Sequence, residues 1–434
     1  MNEDNRSNQP VAPETSRGYW ALIVTQFQGA FSDNTLKWLV ITLVTQMSLP
    51  KGERDQLVGL IGALFAVPFI LFSMAGGWLA DRYSKRTVIT GVKVFEILVM
   101  LLAAFGLAGG HLFVPLTCVF LMGVHSAIFG PSKYGLLPEL LPDNKLSWGN
   151  GVLELTTFIA IIGGTVAGGW LCKLFAHQLG WAGIIFLVLA GVGLGTSQGI
   201  TKVPAADPAK KFQANFAGDL WRQMKIIGRD RVLFMAVVGN TYFFGVAALL
   251  QFIIVVYATD TLGITSPEMT GYLQAATAIG IGLGSFAAGS LSAGRIERGL
   301  IPFGAAGLTG FAVLLGKSHQ SFGVVAAELS GLGFFGGFFI VPISALLQHQ
   351  PAREERGAIL AAANLLSFAG IFLASAVYWL LAVVCKLTPP HMFLVVAAAA
   401  LVATVYVWML LPGSLLRFVI RRLSWFFFRI KFIG

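Results

Sequence analysis

Gly76-Gly77-Trp78-Leu79-Ala80-Asp81-Arg82-Tyr83-Ser84-Lys85-Arg86 decides the fold of this chain. A glycine pair sits near the end of the apolar run Leu57–Ala80, an acid follows at once, and Arg82, Lys85 and Arg86 close the stretch before the next apolar run opens at Thr87. Two long apolar runs joined by a short charged loop read as a pair of membrane-spanning helices. Composition agrees along the whole chain. Hydrophobic residues make up 56% of the 434 residues and charged residues only 12%, against roughly 25% charged in a soluble domain. The reading is therefore an all-α polytopic membrane protein. Cys118, Cys172 and Cys385 are scattered, without metal-ligand spacing, and read as apolar filler. No metal or cofactor is expected.

Apolar runs near 20 residues recur from Tyr19–Met47 to Met392–Leu411, and the length accommodates about twelve transmembrane helices with short loops. The expected organisation is a polar, disordered N-terminus without a cleavable signal (1–16), a first six-helix half (17–199), a linker (200–230), a second six-helix half (231–412) and a basic-aromatic interfacial tail (413–434). In the linker, Phe216, Leu220, Met224 and Ile227 share one helical face, which predicts an amphipathic helix lying on the membrane surface. With the N-terminus inside, 23 Lys and Arg fall on the inner side and 5 on the outer, while Lys37 and Lys93 lie within spans. That bias places both termini in the cytoplasm. It also accounts for the net charge of +10 without a nucleic-acid partner.

The two halves repeat weakly. Gly77 and Gly289 are 212 residues apart, Pro131 and Pro342 are 211, and Asn150 and Asn364 are 214. A common offset argues for two pseudo-symmetric halves related by duplication. Ala293 stands where the second copy would carry an acid. Gly164 and Gly168, and Gly280 and Gly284, form small-residue faces expected to give a smooth seam between the halves.

Span one is the unusual helix. Gln26, Ala30, Asp33 and Lys37 share one face, and an unpaired acid in mid-span costs roughly 2.5–3.5 kcal/mol on insertion scales. Asp33 is therefore expected to face a polar cavity or a partner, with Lys37 one turn away to neutralise it and Asn34 beside it. A structural Asp33–Lys37 pair is the competing reading. In span seven, Asn240 and Gln251 share a polar, uncharged face suited to substrate contact or interhelical hydrogen bonding. Near Phe129-Gly130-Pro131-Ser132-Lys133-Tyr134-Gly135 the helix is expected to break, with Lys133 as a cation at a cavity mouth or as an interfacial lysine. Glu96, His125, Glu154 and Glu328 are lesser candidates, and Glu154 is placed to pair with a loop arginine.

The Gly76–Arg86 stretch resembles the loop between helices 2 and 3 of major facilitator transporters. Asp81 and Arg82 are then expected to act as a conformational latch. Gly77 and Arg86 belong to it, Asp81 faces the N-terminus of span eleven, and Glu354 and Arg356 complete the network. Phe31-Ser32-Asp33-Asn34 together with the Gly-Pro-x-Lys-Tyr-Gly turn at 130–135 carries a closer resemblance, to the bacterial lysophospholipid transporters, a branch of that superfamily. The resemblance implies the major facilitator fold. It also implies transport of lyso-phosphatidylethanolamine-type lipids from the outer to the inner leaflet of the bacterial inner membrane, for re-acylation, by rocker-switch alternating access. It puts Asp33 and Asn34 at the headgroup amine and Lys133 at the phosphate.

A zwitterionic lipid carries no net charge and needs no ion gradient. The alternative within the fold is a proton-coupled exporter of drugs or small metabolites, with Asp33 carrying the proton. A membrane acyltransferase would need His and Asp separated by four residues. No histidine has that partner, and His349 has only Glu354. The chain is expected to be a monomer and not an enzyme. Its tail resembles the lead-in to a phospholipid acyltransferase domain, which implies that residues 1–434 are the transporter portion of a longer protein or sit beside a partner acyltransferase.

Overall fold

The computed structural model describes residues 16–213, 215–264, 266–292, 295–317, 321–410 and 420. The N-terminal segment before residue 16, Ala293 and nearly all of the tail 413–434 lie outside the described residues. Among the described residues the chain is helical, with no β-strand. The first half comprises α1 (Ser16–Gln46), α2 (Lys51–Arg82), α3 (Lys85–Ala108), α4 (Phe113–Leu140), α5 (Leu146–Leu174) and α6 (Gly180–Ser197). The linker helix α7 (Phe216–Arg229) leads into α8 (Arg231–Val256), α9 (Pro267–Leu291), α10 (Leu300–Leu315), α11 (Phe322–His349), α12 (Arg356–Trp379) and α13 (Pro389–Leu410). Nine helices among the described residues are long and apolar enough to cross a membrane, and α10 is a shorter apolar helix. With α1 and α9 this is consistent with twelve spans.

Each half has its own core. Leu36, Leu39, Met100, Cys118 and Phe186 anchor the first, and Tyr257, Leu332, Val341 and Phe393 the second. The halves meet where α5 packs on α9 and α2 on α12. The sequence repeat is visible in this seam. A Cβ on Gly77 would lie 2.7 Å from the Gly357 carbonyl oxygen, and one on Gly289 would lie 2.8 Å from that of Ser147. Both glycines let the halves approach backbone to backbone.

The expected GxxxG seam is corrected. Gly164 and Gly168 pack against Phe31 to Leu39 of α1, and Gly280 and Gly284 against Ser330 and Phe334 of α11, so both faces work inside a half. The expected break at Pro131 is also absent. α4 runs unbroken from Phe113 to Leu140 through Pro131 and Pro138. A proline costs a span only one ladder bond, and neighbouring helices can support the freed carbonyl. The linker helix forms over the expected residues, with Leu220, Met224 and Ile227 of its apolar face packed against the second core. Its buried residues are Asp219, Gln223 and Ile227, while Phe216 is exposed. It leans on α8, α12 and α2 through a partly polar face.

Candidate functional site

Midway along the first half, α1, α3 and α4 enclose a fully buried polar cluster. Lys93 and Glu96 lie one turn apart on α3 and pair at 2.7 Å, both side chains 0% exposed. Gln28 of α1 ties them together: its Oε1 accepts from Lys93 Nζ at 2.8 Å, and its Nε2 donates to Glu96 Oε1 at 2.8 Å and to Ser32 Oγ at 2.8 Å. Gly29 leaves room for the ammonium, since a Cβ there would stand 2.8 Å from Lys93 Nζ. A pair this deep holds because it is hydrogen-bonded on several sides.

Asp33 sits at the edge of this cluster. Its Oδ2 accepts a hydrogen bond from Ser126 Oγ of α4, while its Oδ1 is buried with no hydrogen-bond partner. Among the described residues Lys37 makes no ion pair with Asp33. Its Nζ lies over the Phe65 ring, 5.0 Å from the centroid. The separation of i and i+4 allows the pair, but Ser126 from the facing helix reaches the carboxylate first. Asn34 donates to the Ala30 carbonyl at 2.8 Å, and Gln26 donates to Thr157 of α5. Gln26 thus fastens α1 to α5, while the Asn34 bond stays within α1.

Lys133 does not stand at a loop mouth. It lies within α4, half-buried, its Nζ 4.5 Å from the Tyr134 ring centroid and 5.8 Å from that of Phe129. Glu154 accepts from Tyr134 Oη at 3.3 Å, so its partner is a phenol and not a loop arginine. Tyr134, Glu154, Asn240, Gln348 and Asn364 line a cavity of about 70 Å³ between the halves, with room for several waters. Asn240 donates to Ser367 Oγ at 2.7 Å. Gln251, three turns further along α8, is exposed and does not line this cavity.

The end of the bundle that carries the basic loops is closed. Asp81 Oδ1 accepts from the Gly357 N–H at 2.7 Å and Oδ2 from the Ala358 N–H at 3.0 Å, so the carboxylate of α2 caps the start of α12. Lys210 of the linker reaches the same Oδ2 at 2.7 Å and the Glu354 carbonyl oxygen at 3.3 Å. Arg82 and Trp78 in turn hold the Lys210 carbonyl, at 2.5 and 3.1 Å. Glu354 thus joins through its backbone. Arg86 donates to the Gln198 carbonyl at 2.6 Å and stays within the first half. The buried Arg356 Nε has no hydrogen-bond partner. A second ion group joins Lys85 to Glu139 at 2.5 Å and Glu139 to Arg353 at 3.3 Å. Asn150 and Gln348 exchange amide hydrogen bonds at 2.9 and 2.7 Å. His349 faces Asp143 at 3.1 Å. Among the described residues, inter-half hydrogen bonds gather at this end, apart from Asn364 to Ser73 at 3.0 Å nearer mid-depth.

Sequence reasoning missed Lys93, Gln28 and Ser126, and it missed Lys210, Glu139, Arg353 and Gln348 at the gate. Lys93 and Glu96 did carry a signal, an i, i+3 ion pair inside an apolar run. The others become visible only when helices distant in sequence are brought together.

A helical bundle of two repeated halves, with a buried charge cluster in one and a gate of ion pairs at one end of their seam, has the build of a secondary transporter. The profile of the Major Facilitator Superfamily matches residues 24–375. The human organic anion transporter MFSD10 superposes with a TM-score of 0.73 at 16% identity, over 92% of this chain and 100% of that one. The transporter FucP in its outward conformation gives 0.72 at 14%, over 90% and 98%. In sequence, the lysophospholipid transporter LplT of Cronobacter sakazakii is 32% identical over 350 residues, 80% of this chain and 84% of that protein. LplT of Klebsiella pneumoniae is 32% identical over 336 residues, 77% and 81%. The chain belongs to the major facilitator superfamily and, within it, to the family of these lysophospholipid transporters.

Proposed function

We propose that this protein carries lysophospholipids of the lyso-phosphatidylethanolamine type from the outer to the inner leaflet of a bacterial inner membrane, by alternating access between its halves. The observation that supports it most is the identity of about one third to LplT proteins across four fifths of the chain, joined to a mid-span acid with one free oxygen. In this reading Asp33 meets the headgroup amine, supported by Asn34, and Lys133 meets the phosphate. Asn240 and Gln251 contribute from the second half.

The basic end is the cytoplasmic one, with both termini there. The network of Gly77, Asp81, Arg82, Arg86, Glu354 and Arg356 is the latch that keeps it shut while the other side is open. The lipid tail stays in the bilayer throughout, so the protein acts as a monomer and needs no cavity large enough for a whole lipid. A re-acylating enzyme, fused or separate, consumes the product.

The test is reconstitution of the purified chain in vesicles, measuring inward movement of fluorescent lyso-phosphatidylethanolamine beside a panel of drug substrates. Movement of the lysolipid without an ion gradient is expected. Gradient-driven movement of the drugs alone would replace this reading with that of an exporter.

A further inference from the structure

Asp33 is joined to the buried cluster by a chain of polar atoms that packing alone does not require. Ser126 Oγ donates to Asp33 Oδ2. His125 Nδ1 lies 3.4 Å from the same Ser126 Oγ, and His125 Nε2 lies 3.2 Å from Glu96 Oε2. Asp33, Ser126, His125 and Glu96 therefore form a row across α1, α4 and α3. One end of the row is unsatisfied: Asp33 Oδ1 is buried with no hydrogen-bond partner, while His125 Nε2 at the other end rests against Glu96. Buried polar atoms left without partners need a reason, and a proton that changes place supplies one. Gln28 and Lys93 hold Glu96 from the far side, so that carboxylate stays fixed whichever way the proton lies.

Building on the transport reading above, we propose that His125, Ser126 and Asp33 form an internal proton relay that switches Asp33 between a neutral and an anionic headgroup receptor. In the empty carrier the proton rests on Asp33 and the imidazole is neutral, which spares the membrane interior a lone carboxylate. When a cationic amine arrives at Oδ1, the proton on Asp33 Oδ2 passes to Ser126 Oγ as the Ser126 hydroxyl, turned from Oδ2 to Nδ1 while Asp33 is protonated, gives its own proton to His125 Nδ1; the new hydroxyl proton then donates to Oδ2 as in the structure. The products are a carboxylate facing the amine and an imidazolium facing Glu96. No bond to carbon changes, the proton count of the protein stays constant, and no ion from outside is needed. The other charged groups facing this row are Lys93 of α3, Lys37 of α1 and Lys133 of α4, with Glu154 of α5 beyond Lys133. α2 and α12 carry charged side chains only at their ends, and α6 carries none.

The experiment is infrared difference spectroscopy of the full chain in lipid nanodiscs, first empty and titrated with pH. A protonated-carboxyl band that disappears in Asp33→Asn identifies Asp33. Its midpoint is expected to rise by about one pH unit or more in Ser126→Ala, which takes a hydrogen bond from the carboxylate, and to return in Ser126→Thr, which keeps the hydroxyl. Lyso-phosphatidylethanolamine is then added at constant pH. The wild type should lose the band without releasing a proton to the medium, and His125→Gln should release about one proton per lipid bound. Absence of the band at every pH, or a midpoint unmoved in Ser126→Ala, overturns the relay with or without lipid, and equal proton release from the wild type and His125→Gln on binding overturns it too. If the empty-protein titrations behave as expected but no lysolipid binds, the relay stands and the transport reading fails.

Discussion

Asn150 of α5 and Gln348 of α11 exchange both of their amide hydrogen bonds, at 2.9 and 2.7 Å, across the seam between the halves, and both side chains are buried. The pair is the deepest polar clamp at the closed end. Any opening there must separate two buried amides that satisfy each other.

Gln348→Ala should therefore favour opening. It strands the buried Asn150 amide in the closed state, at about 1–3 kcal/mol, which is roughly a tenfold change in the closed-to-open ratio. Cysteine accessibility at the α11–α12 end of the bundle measures it. The double variant Asn150→Ala, Gln348→Ala should cost less than the two single changes together. Strict additivity would mean that the two side chains act separately.

Asp81→Ala removes the cap on α12 and the partner of Lys210 in one step. The loss of a cap alone is worth about 0.5–2 kcal/mol, and the half-buried ammonium of Lys210 loses its counter-charge as well. The basic end should open more in this variant than in Lys210→Ala, which leaves the Gly357 and Ala358 hydrogen bonds in place. Distance measurements by paired spin labels across α2 and α12 would show the order. Equal effects would place the whole latch in the ion pair.

The two intramembrane lysines should behave differently. Lys93→Ala leaves Glu96 charged and buried, and a broken buried pair costs about 3–5 kcal/mol. Lys37→Ala gives up only its contact with Phe65, about 0.5–1 kcal/mol. Thermal unfolding in detergent separates them. Asp33→Asn should keep the wild-type melting temperature while lysolipid transport falls severely. A melting loss in Asp33→Asn as large as in Lys93→Ala would make Asp33 a packing residue.

Asp230 caps α8 and sets an acid limit at the membrane surface. Burial pushes its carboxyl up. The hydrogen bonds from Gln350 at 2.8 Å and from the Leu233 and Val232 N–H groups, with the charge of Arg298, outweigh that and hold it below the usual carboxylate range. A depressed folded value gives stability that is present above the unfolded carboxylate pKa of about 3.9 and is lost as pH falls through the folded one. Asp230→Asn should lower stability at neutral pH and flatten the acid side of the profile, because it removes what the carboxylate contributes above its unfolded pKa. An unaltered acid slope would assign it to other carboxylates.

The number of long apolar runs, the duplication and the family were legible because they rest on local composition and on spacing along the chain. Hydrocarbon tolerates few charges, so each span announces itself in about twenty residues. Asp33 and Asp81 stood out for the same reason, as acids in or beside apolar runs. What those acids touch was not legible. Lys37 is one turn from Asp33 in the chain, yet Ser126, 93 residues away, holds the carboxylate. The GxxxG rows were visible too, but which neighbour each row met was not, since a small-residue face fits any helix that comes close. The linker helix was legible in its periodicity, but the reach of Lys210, ahead of that helix, to Asp81 was not. Periodicity along one helix tells which residues share a face. Only the packing of all the helices decides what that face meets, and in this protein the charge cluster, the relay and the gate are all built between helices.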